Sequence, residues 1–195
     1  MHIFQKKDLG KENRQQTGIT LLEELYETCN EYPDSFEDME AILVDIKEEC
    51  KRSPGFFDPV IDQSEFFWGP ITGFFIDALD KNKKKCNASL FASVLIIQYI
   101  AKDKPLQHEL INSLLSAAEN DKCEFGVLSL VTLRVYLSER LTQELDEMTH
   151  FCDRIWNLFM HPLGEEHRSA AIVTLDCCFS EDIPFEIQST FYLKL

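Results

Sequence analysis

Apolar residues recur every three or four positions along most of this 195-residue chain. That spacing places them on one face of an α-helix, whereas a half-buried strand needs strict alternation of apolar and polar residues. Segment 35–50 shows the helical spacing most clearly, through Phe36, Met39, Leu43, Ile46 and Cys50. No segment combines strand-type alternation with turn signals. The sequence therefore predicts an all-α protein, long enough to form a single domain, 1–195, with a buried core.

Proline and glycine residues divide this pattern into segments. Pro33 separates the helical segments 19–31 and 35–50, so we expect an antiparallel hairpin over 19–50. Prolines and glycines also interrupt 53–69, which predicts an aromatic connecting segment without a long helix. The next helix is then expected to begin at Pro70 and to end near Asp80. Further helices are predicted over 90–102, 106–120, 124–139, 142–160 and 165–179, and a short C-terminal cap over 184–195.

Three of the predicted helices contain a similar stretch of sequence. Each stretch has four mostly apolar residues, one polar residue, three mostly apolar residues and a polar end. The stretches are 94–103, 130–139 and 172–181, at offsets of 36 and 42 residues. The second and third share the pattern apolar-Val-Thr-Leu-polar and end in Ser-Glu. We therefore expect the helices that contain them to lie side by side and nearly parallel in one layer, with Thr132 and Thr174 at equivalent positions.

A helical-hairpin repeat of this length resembles the HEAT and armadillo class of α-solenoid. The resemblance covers roughly residues 66–181, and the acidic hairpin 19–50 would be an additional N-terminal pair. It implies a right-handed stack of roughly four antiparallel helical hairpins, HEAT-like over 70–181. An irregular helical bundle whose helices have similar lengths is the alternative.

The spacing also predicts which side chains are buried. Trp156 shares a stripe with Cys152 and Phe159, so we expect it to be largely buried. Cys29, Cys50 and Cys177 also fall on apolar faces, where a free cysteine behaves as a small hydrophobic residue. The seven cysteines include no CxxC pair, which indicates neither a disulfide framework nor a zinc ribbon.

The formal charge of −15 is concentrated in two acidic blocks, residues 20–50 and residues 106–195, on either side of a nearly neutral middle. Residues 20–50 contain eleven acids and one base, a net charge of −10. So acidic a chain repels nucleic acid and anionic membrane surfaces, and we expect neither as a partner. A basic protein partner is favoured instead, because the acidic field speeds its encounter.

Two further features indicate a cytoplasmic location. No apolar run approaches the ~18 residues that cross a bilayer. The N-terminal residues also lack the apolar stretch and the small-residue cleavage site of a signal peptide.

Sequence motifs that carry catalytic chemistry are absent. The chain contains no GxSxG, HExxH, P-loop or strand-linked GxGxxG sequence. His150, Cys152 and Asp153 are close in sequence, but residues two positions apart point to different sides of a helix. We therefore expect no enzymatic activity, no cofactor and no metal site. An enzyme that uses the aromatic segment as a small-molecule pocket remains an alternative.

The first candidate binding surface is the acidic side of the second predicted helix. Asp38, Asp45 and Glu49 are seven and four residues apart, so they share one stripe of that helix. Their surface could also be an ordinary solvated helix face. The acids that we assign to partner binding are Glu37, Asp38, Glu40, Asp45, Glu48 and Glu49.

The second candidate is the aromatic segment that runs from Phe56-Phe57 to Phe66-Phe67-Trp68. Aromatic side chains concentrate at interface hot spots, and we assign Trp68 to partner binding on this basis. A loop that folds back to cover one end of the core would have the same composition.

In size, charge and helicity the chain resembles bacterial immunity proteins of the polymorphic-toxin and contact-dependent-inhibition type. This resemblance implies inhibition by binding, in which an acidic surface occludes the basic, substrate-binding face of a cognate toxin, commonly a nuclease. A HEAT-like scaffold or adaptor in a larger protein assembly is the alternative function.

Overall fold

The computed structural model describes residues 11–53, 61–80, 88–100, 104–120, 123, 125–139 and 145–177. The described residues form eight helices and no strand, which confirms the all-α prediction. The helices are α1 (Lys11–Glu31), α2 (Phe36–Arg52), α3 (Ile61–Asp80), α4 (Ala88–Ile100), α5 (Lys104–Glu119), α6 (Gly126–Glu139), α7 (Leu145–Met160) and α8 (Glu165–Asp176). The predicted C-terminal cap, 184–195, lies outside the described residues.

The helices contact one another in two alternating series. In the first series α2 contacts α4, α4 contacts α6, and α6 contacts α8. In the second series α1 contacts α3, α3 contacts α5, and α5 contacts α7. Contacts of α1 with α2, of α5 with α4 and α6, and of α7 with α8 join the two series around a shared core. The three helices that carry the repeated stretch, α4, α6 and α8, are thus neighbours in the predicted order.

The two threonines of the repeated stretch have matching environments. Thr132 and Thr174 are both fully buried. Each hydroxyl donates to the carbonyl oxygen four residues earlier, at 2.9 Å for Leu128 and 2.8 Å for Ala170. Thr174 also lies 3.1 Å from the carbonyl oxygen of Leu130, and this hydrogen bond ties α8 to α6.

The helix α4 differs from the other helices of its series because it is buried on all sides. Every residue from Leu90 to Gln98 is buried, as expected for a helix that is apolar all round. Gln98 stands at the repeat position that Arg134 occupies in α6, but the Arg134 side chain is exposed. The Gln98 side chain instead donates from Nε2 to Oγ1 of the buried Thr72 in α3, at 2.6 Å.

The prediction for the aromatic segment is wrong over 61–69, because α3 begins at Ile61 and contains Pro70 in its interior. A proline in a helix interior costs about 3 kcal/mol or more. Trp68, Ile71 and Phe75 are fully buried where α3 packs against its neighbours, and each contributes about 1.5–3 kcal/mol. Pro70 itself is exposed, on the side of α3 that faces away from the core.

Trp156, which we expect to be largely buried, packs against the core but is less buried than the residues at the centre of the α7 face. Phe151, Cys152, Ile155 and Leu158 form the buried face of α7, whereas Trp156 is only half-buried. Trp156 lies at the edge of that face, with its ring centroid 5.5 Å from the ring centroid of Phe159. Spacings of three and four residues are compatible with an apolar stripe that contains Trp156 and with one that contains Ile155. The packing of α7 against α8 and α5 buries the stripe centred on Ile155.

A close approach joins the first turns of α6 and α8. The imidazole of His167 lies against Gly126, and a Cβ atom at position 126 would overlap its Nε2 atom. The two helices therefore begin at the same level, side by side. Only glycine permits this approach without moving the histidine.

We expect Gly126→Ala to lower the free energy of unfolding by at most about 1 kcal/mol, because the added methyl group meets the far end of the His167 side chain, which can shift, and alanine favours the helix more than glycine does. Denaturant unfolding of Gly126→Ala, of His167→Ala and of the double variant measures the coupling between the two positions. With His167 truncated, the alanine at position 126 should stabilise the protein by up to about 1 kcal/mol, because the difference in helix propensity then remains. Equal destabilisation in both backgrounds would show that the junction does not require glycine.

Candidate functional site

The second helix presents one buried and one acidic side. Its apolar residues repeat every three or four positions and are buried: Phe36, Met39, Ile42, Leu43, Ile46 and Cys50. The intervening acids are therefore turned away from the core. We define the acidic face as the exposed residues Glu37, Asp38, Asp45 and Glu48 together with the exposed Val44.

The structure places all six predicted acids on α2, but it does not leave them equally accessible. Glu37, Asp38, Asp45 and Glu48 are exposed, whereas Glu40 and Glu49 are half-buried. Glu40 accepts a hydrogen bond from the hydroxyl of Ser89, the second residue of α4, at 2.6 Å. This contact ties the first half of α2 to the start of α4, so Glu40 has a structural role.

Arg52 holds the two acids near the end of α2. Its guanidinium nitrogens lie 2.6 Å from Oε2 of Glu48 and 2.7 Å from Oε1 of Glu49. Surface ion pairs of this kind contribute little to stability, but they neutralise part of the local charge. The negative charge of the acidic face is therefore greatest around Asp38 and Asp45.

Part of the charge pattern on α2 has a local structural explanation. Glu37 and Asp38 lie in the first turn, and Lys51 and Arg52 lie in the last turn. Each such charge stabilises the helix by about 0.3–1 kcal/mol through its interaction with the helix dipole. Asp45, in the middle of the helix, gains nothing from the dipole, and its position favours a role outside the fold.

Val44 is a residue of the acidic face that the sequence argument missed. Its side chain is 44% exposed, although it is β-branched and apolar. An apolar contact surrounded by charged residues is the usual arrangement of a protein interface. The sequence does indicate that Val44 is exposed, because this residue lies outside the apolar stripe of Phe36, Met39 and Leu43.

The assignment of Trp68 to partner binding is wrong. Its relative exposure is 0%, and it belongs to the core of α3. The exposed aromatic residue of this region is Phe66, at 71%, which forms an edge-to-face contact with Phe67. Phe67 in turn contacts Tyr26 of α1 edge to face, at 5.9 Å between ring centroids. The residues Phe56 and Phe57 lie outside the described part of the chain.

The described histidines, cysteines and acids do not assemble into a reactive cluster. His150 is exposed and Cys152 is fully buried, so the two point to different sides of α7. Within the described ranges no group of three His, Cys, Asp or Glu side chains could hold a metal ion. In the same part of the chain no helix has the length and apolar character to cross a bilayer.

The two buried cysteines of the N-terminal hairpin are held as neutral thiols. Burial raises the pKa of the Cys29 thiol to about 12. Burial, assisted by the negative charge of Glu49, raises the pKa of Cys50 to about 12 as well. Since the thiolate is the reactive form, both groups should be inert. The burial predicted for these two residues is confirmed, whereas Cys177 is only half-buried.

We expect iodoacetamide to modify Cys123 and Cys177 of the native protein much faster than Cys29 and Cys50, at a pH of about 8. Peptide mass mapping of the alkylated chain measures each site separately. The raised thiol pKa values also predict that the contribution of these two thiols to stability is constant below pH 9 and declines as the pH rises from about 9 towards 12, because the unfolded thiols then lose protons that the folded ones retain. Rapid native alkylation of Cys29 would contradict its burial.

The acidic face is thus a part of the molecule where exposed charge and an exposed apolar side chain occur on one helix. Its exposed carboxylates, Asp38 and Asp45, are groups that can pair with cationic side chains. Comparison of the chain with family models, with curated proteins and with solved structures finds no match.

Proposed function

We propose that this chain is a non-catalytic binding protein that recognises a basic protein through the acidic face of α2. In its most specific form, the proposal is that the chain is a cytoplasmic immunity protein. Such a protein neutralises a cognate toxin, in particular a nuclease, by occluding the basic face of that toxin. The observation that carries the proposal is the exposure of Asp38 and Asp45 on one stripe of α2, with the exposed Val44 on the same helix.

The energetics of the acidic hairpin support a basic partner. Residues 20–50 carry a net charge of −10, and the exposed acids of α1 add to the field of α2: Glu23, Glu24, Glu27 and Glu31. Such a concentration of like charge destabilises the compact state through self-repulsion. A cationic partner removes that repulsion on binding, and the same field accelerates the encounter.

A nuclease is a suitable partner on chemical grounds. A protein that binds nucleic acid must present lysine and arginine side chains to the phosphates. An acidic helix face can cover such a surface, because it supplies carboxylates for the cations and the exposed apolar side chain of Val44 beside them. Inhibition then requires binding alone.

The packing of the helices supports a HEAT-like, right-handed stack of hairpins as the frame of this surface. The alternating contact series, the pairing of α1 with α2, of α5 with α6 and of α7 with α8, and the shared starting level of α6 and α8 support such a stack. The same frame suits the second candidate function, a scaffold or adaptor in a larger assembly. The enclosure of α4 is the observation that favours an irregular bundle instead.

Native mass spectrometry of the chain with a candidate toxin tests the function. The candidate is the toxin domain encoded by the gene beside the one for this chain. We expect a stable one-to-one complex and loss of the toxin's activity in it. A gene neighbourhood without a toxin, or a toxin that stays active and unbound, would contradict the immunity role and leave the adaptor function.

A further inference from the structure

A groove of about 410 Å³ opens at the surface between α6 and α8. Its lining includes Val131 and Val173, whose side chains are 36% and 37% exposed. Valine forms helices less readily than alanine, so the stability of the fold gives little reason for a partly exposed valine on a helix. The two valines instead give the groove an apolar middle that a partner side chain can cover.

The helices α6 and α8 run in the same direction along this groove. His167, in the first turn of α8, lies against Gly126, the first residue of α6. Further along both helices, the hydroxyl of Thr174 lies 3.1 Å from the carbonyl oxygen of Leu130. The N-termini of the two helices are therefore at one end of the groove, and their C-terminal halves are at the other end.

The two ends of the groove carry opposite charges. Glu165 and Glu166 lie in the first turn of α8, at the N-terminal end. Arg134 lies eight residues beyond Gly126 along α6, or about 12 Å away, at the other end. The groove therefore has an acidic end, an apolar middle and a basic end.

Arg134 makes its end of the groove basic and is available to a partner. Its side chain is exposed, and it forms no salt bridge with another described residue. It lies outside the last turn of α6, so the helix dipole does not account for its position. Asp176 is exposed near the same end but does not line the groove. Of the described residues that line the groove, Arg134 is the only cation.

We infer that this groove binds one amphipathic α-helix of a partner protein, antiparallel to α6 and α8. In that orientation the last turn of the partner helix lies beside Glu165 and Glu166, and its first turn lies beside Arg134. A helix is stabilised by acidic side chains in its first turn and by basic side chains in its last turn. The charges that stabilise the partner helix are therefore the same charges that complement the two ends of the groove. A parallel helix would need the opposite charges, which oppose its dipole.

The length of the groove specifies the partner helix further. A distance of about 12 Å corresponds to about eight residues of a helix, so the acids and the bases of the partner are about eight residues apart. Between them, apolar residues spaced three or four positions apart face Val131 and Val173. The small side chains of Ser169 and Ala170 also line the groove and let the partner helix approach closely. No residue of α2 lines the groove, so the inference does not depend on the function proposed for the acidic face.

Fluorescence anisotropy of a labelled synthetic peptide, titrated with the full chain, tests the inference. The probe is an alanine-based helix of about 16 residues, with two glutamates in its first turn, two lysines in its last turn and leucines three or four positions apart between them. We expect saturable binding with a Kd of about 10 to 500 µM, because one short helix covers a small area. A control peptide with glutamine at the four charged positions has the same net charge, and it should bind at least about fivefold more weakly.

A variant of the basic end measures the charge contact directly. Arg134→Glu should weaken binding of the charged probe by at least about fivefold and leave binding of the glutamine peptide unchanged, because only the charged probe places carboxylates there. Arg168→Glu makes the same change in net charge and is the matched control, since Arg168 is exposed on α8 but does not line the groove. It should bind both peptides as the native chain does.

Two further measurements test the apolar middle and the orientation. Val131→Ala/Val173→Ala should weaken binding of both peptides, while alanine preserves the helices. A benzophenone at the N-terminus of the probe should crosslink to the part of the chain around Arg134, as peptide mass mapping of the product shows. Circular dichroism establishes that each variant is folded. A native chain that binds neither peptide, equal binding of the two peptides, an Arg134→Glu variant that binds the charged probe normally, or crosslinking beside Glu165 would each overturn the inference.

Discussion

Replacing Trp68 by alanine is expected to lower the free energy of unfolding by about 3–5 kcal/mol. Trp68 is one of the largest fully buried side chains, in the helix that packs against α1 and α5. Its removal leaves a large cavity beside Pro70, where α3 already lacks one backbone hydrogen bond. For a domain of this size such a loss is a large fraction of the total stability. Urea unfolding followed by circular dichroism measures it.

Trp156→Ala is the matched control for this prediction. The second tryptophan of the chain is half-buried at the edge of α7, so its truncation should cost about 1–2 kcal/mol. The order of the two effects, with Trp68 well ahead of Trp156, follows from burial alone. Equal losses, or a larger loss for Trp156, would show that α3 does not extend through Pro70 into the core.

The two tryptophans also show what the sequence can predict and what it cannot. The spacing of apolar residues identifies helices, because the period of 3.6 residues is a local property. It does not decide whether Pro70 ends a helix, since the answer depends on how much apolar surface the surrounding helices cover. Nor does it choose between two stripes of α7 that differ by one position, because Ile155 and Trp156 both have apolar neighbours three or four residues away. Long-range packing makes both choices.

The exposed acids of α2 were easier to predict than the contacts that α2 makes with other helices. The period of α2 places Asp38 and Asp45 opposite the core, and the structure agrees. The hydrogen bond between Glu40 and Ser89 joins residues 49 positions apart in the chain. No local pattern indicates such a contact, and it removes Glu40 from the set of acids that are free to serve binding alone.

The proposed binding function makes the second large prediction. In the variant Asp38→Lys/Asp45→Lys, association with the cognate toxin should slow by about tenfold or more, because the charge that steers the encounter is reversed. Folding should be retained, at a cost of about 0.5 kcal/mol for Asp45 and up to about 1 kcal/mol for Asp38, which also stabilises the helix dipole. Glu48 and Glu49 are kept, since Arg52 binds both. Stopped-flow association rates at several salt concentrations provide the measurement.

A control variant distinguishes binding through the acidic face of α2 from attraction by the overall charge of the hairpin. Glu23→Lys/Glu27→Lys makes the same change in net charge on the exposed side of α1, in the same hairpin. If the acidic face of α2 is the contact, the α1 variant should slow association only slightly and leave dissociation unchanged. The native rate should also fall as salt rises past ~0.15 M, where charges are screened beyond about 8 Å. Equal slowing by both variants would mean that the field of the whole hairpin attracts the partner while its contact lies elsewhere. A rate that neither variant nor salt affects would remove the acidic face from the mechanism, because binding would then depend on no charge of this hairpin.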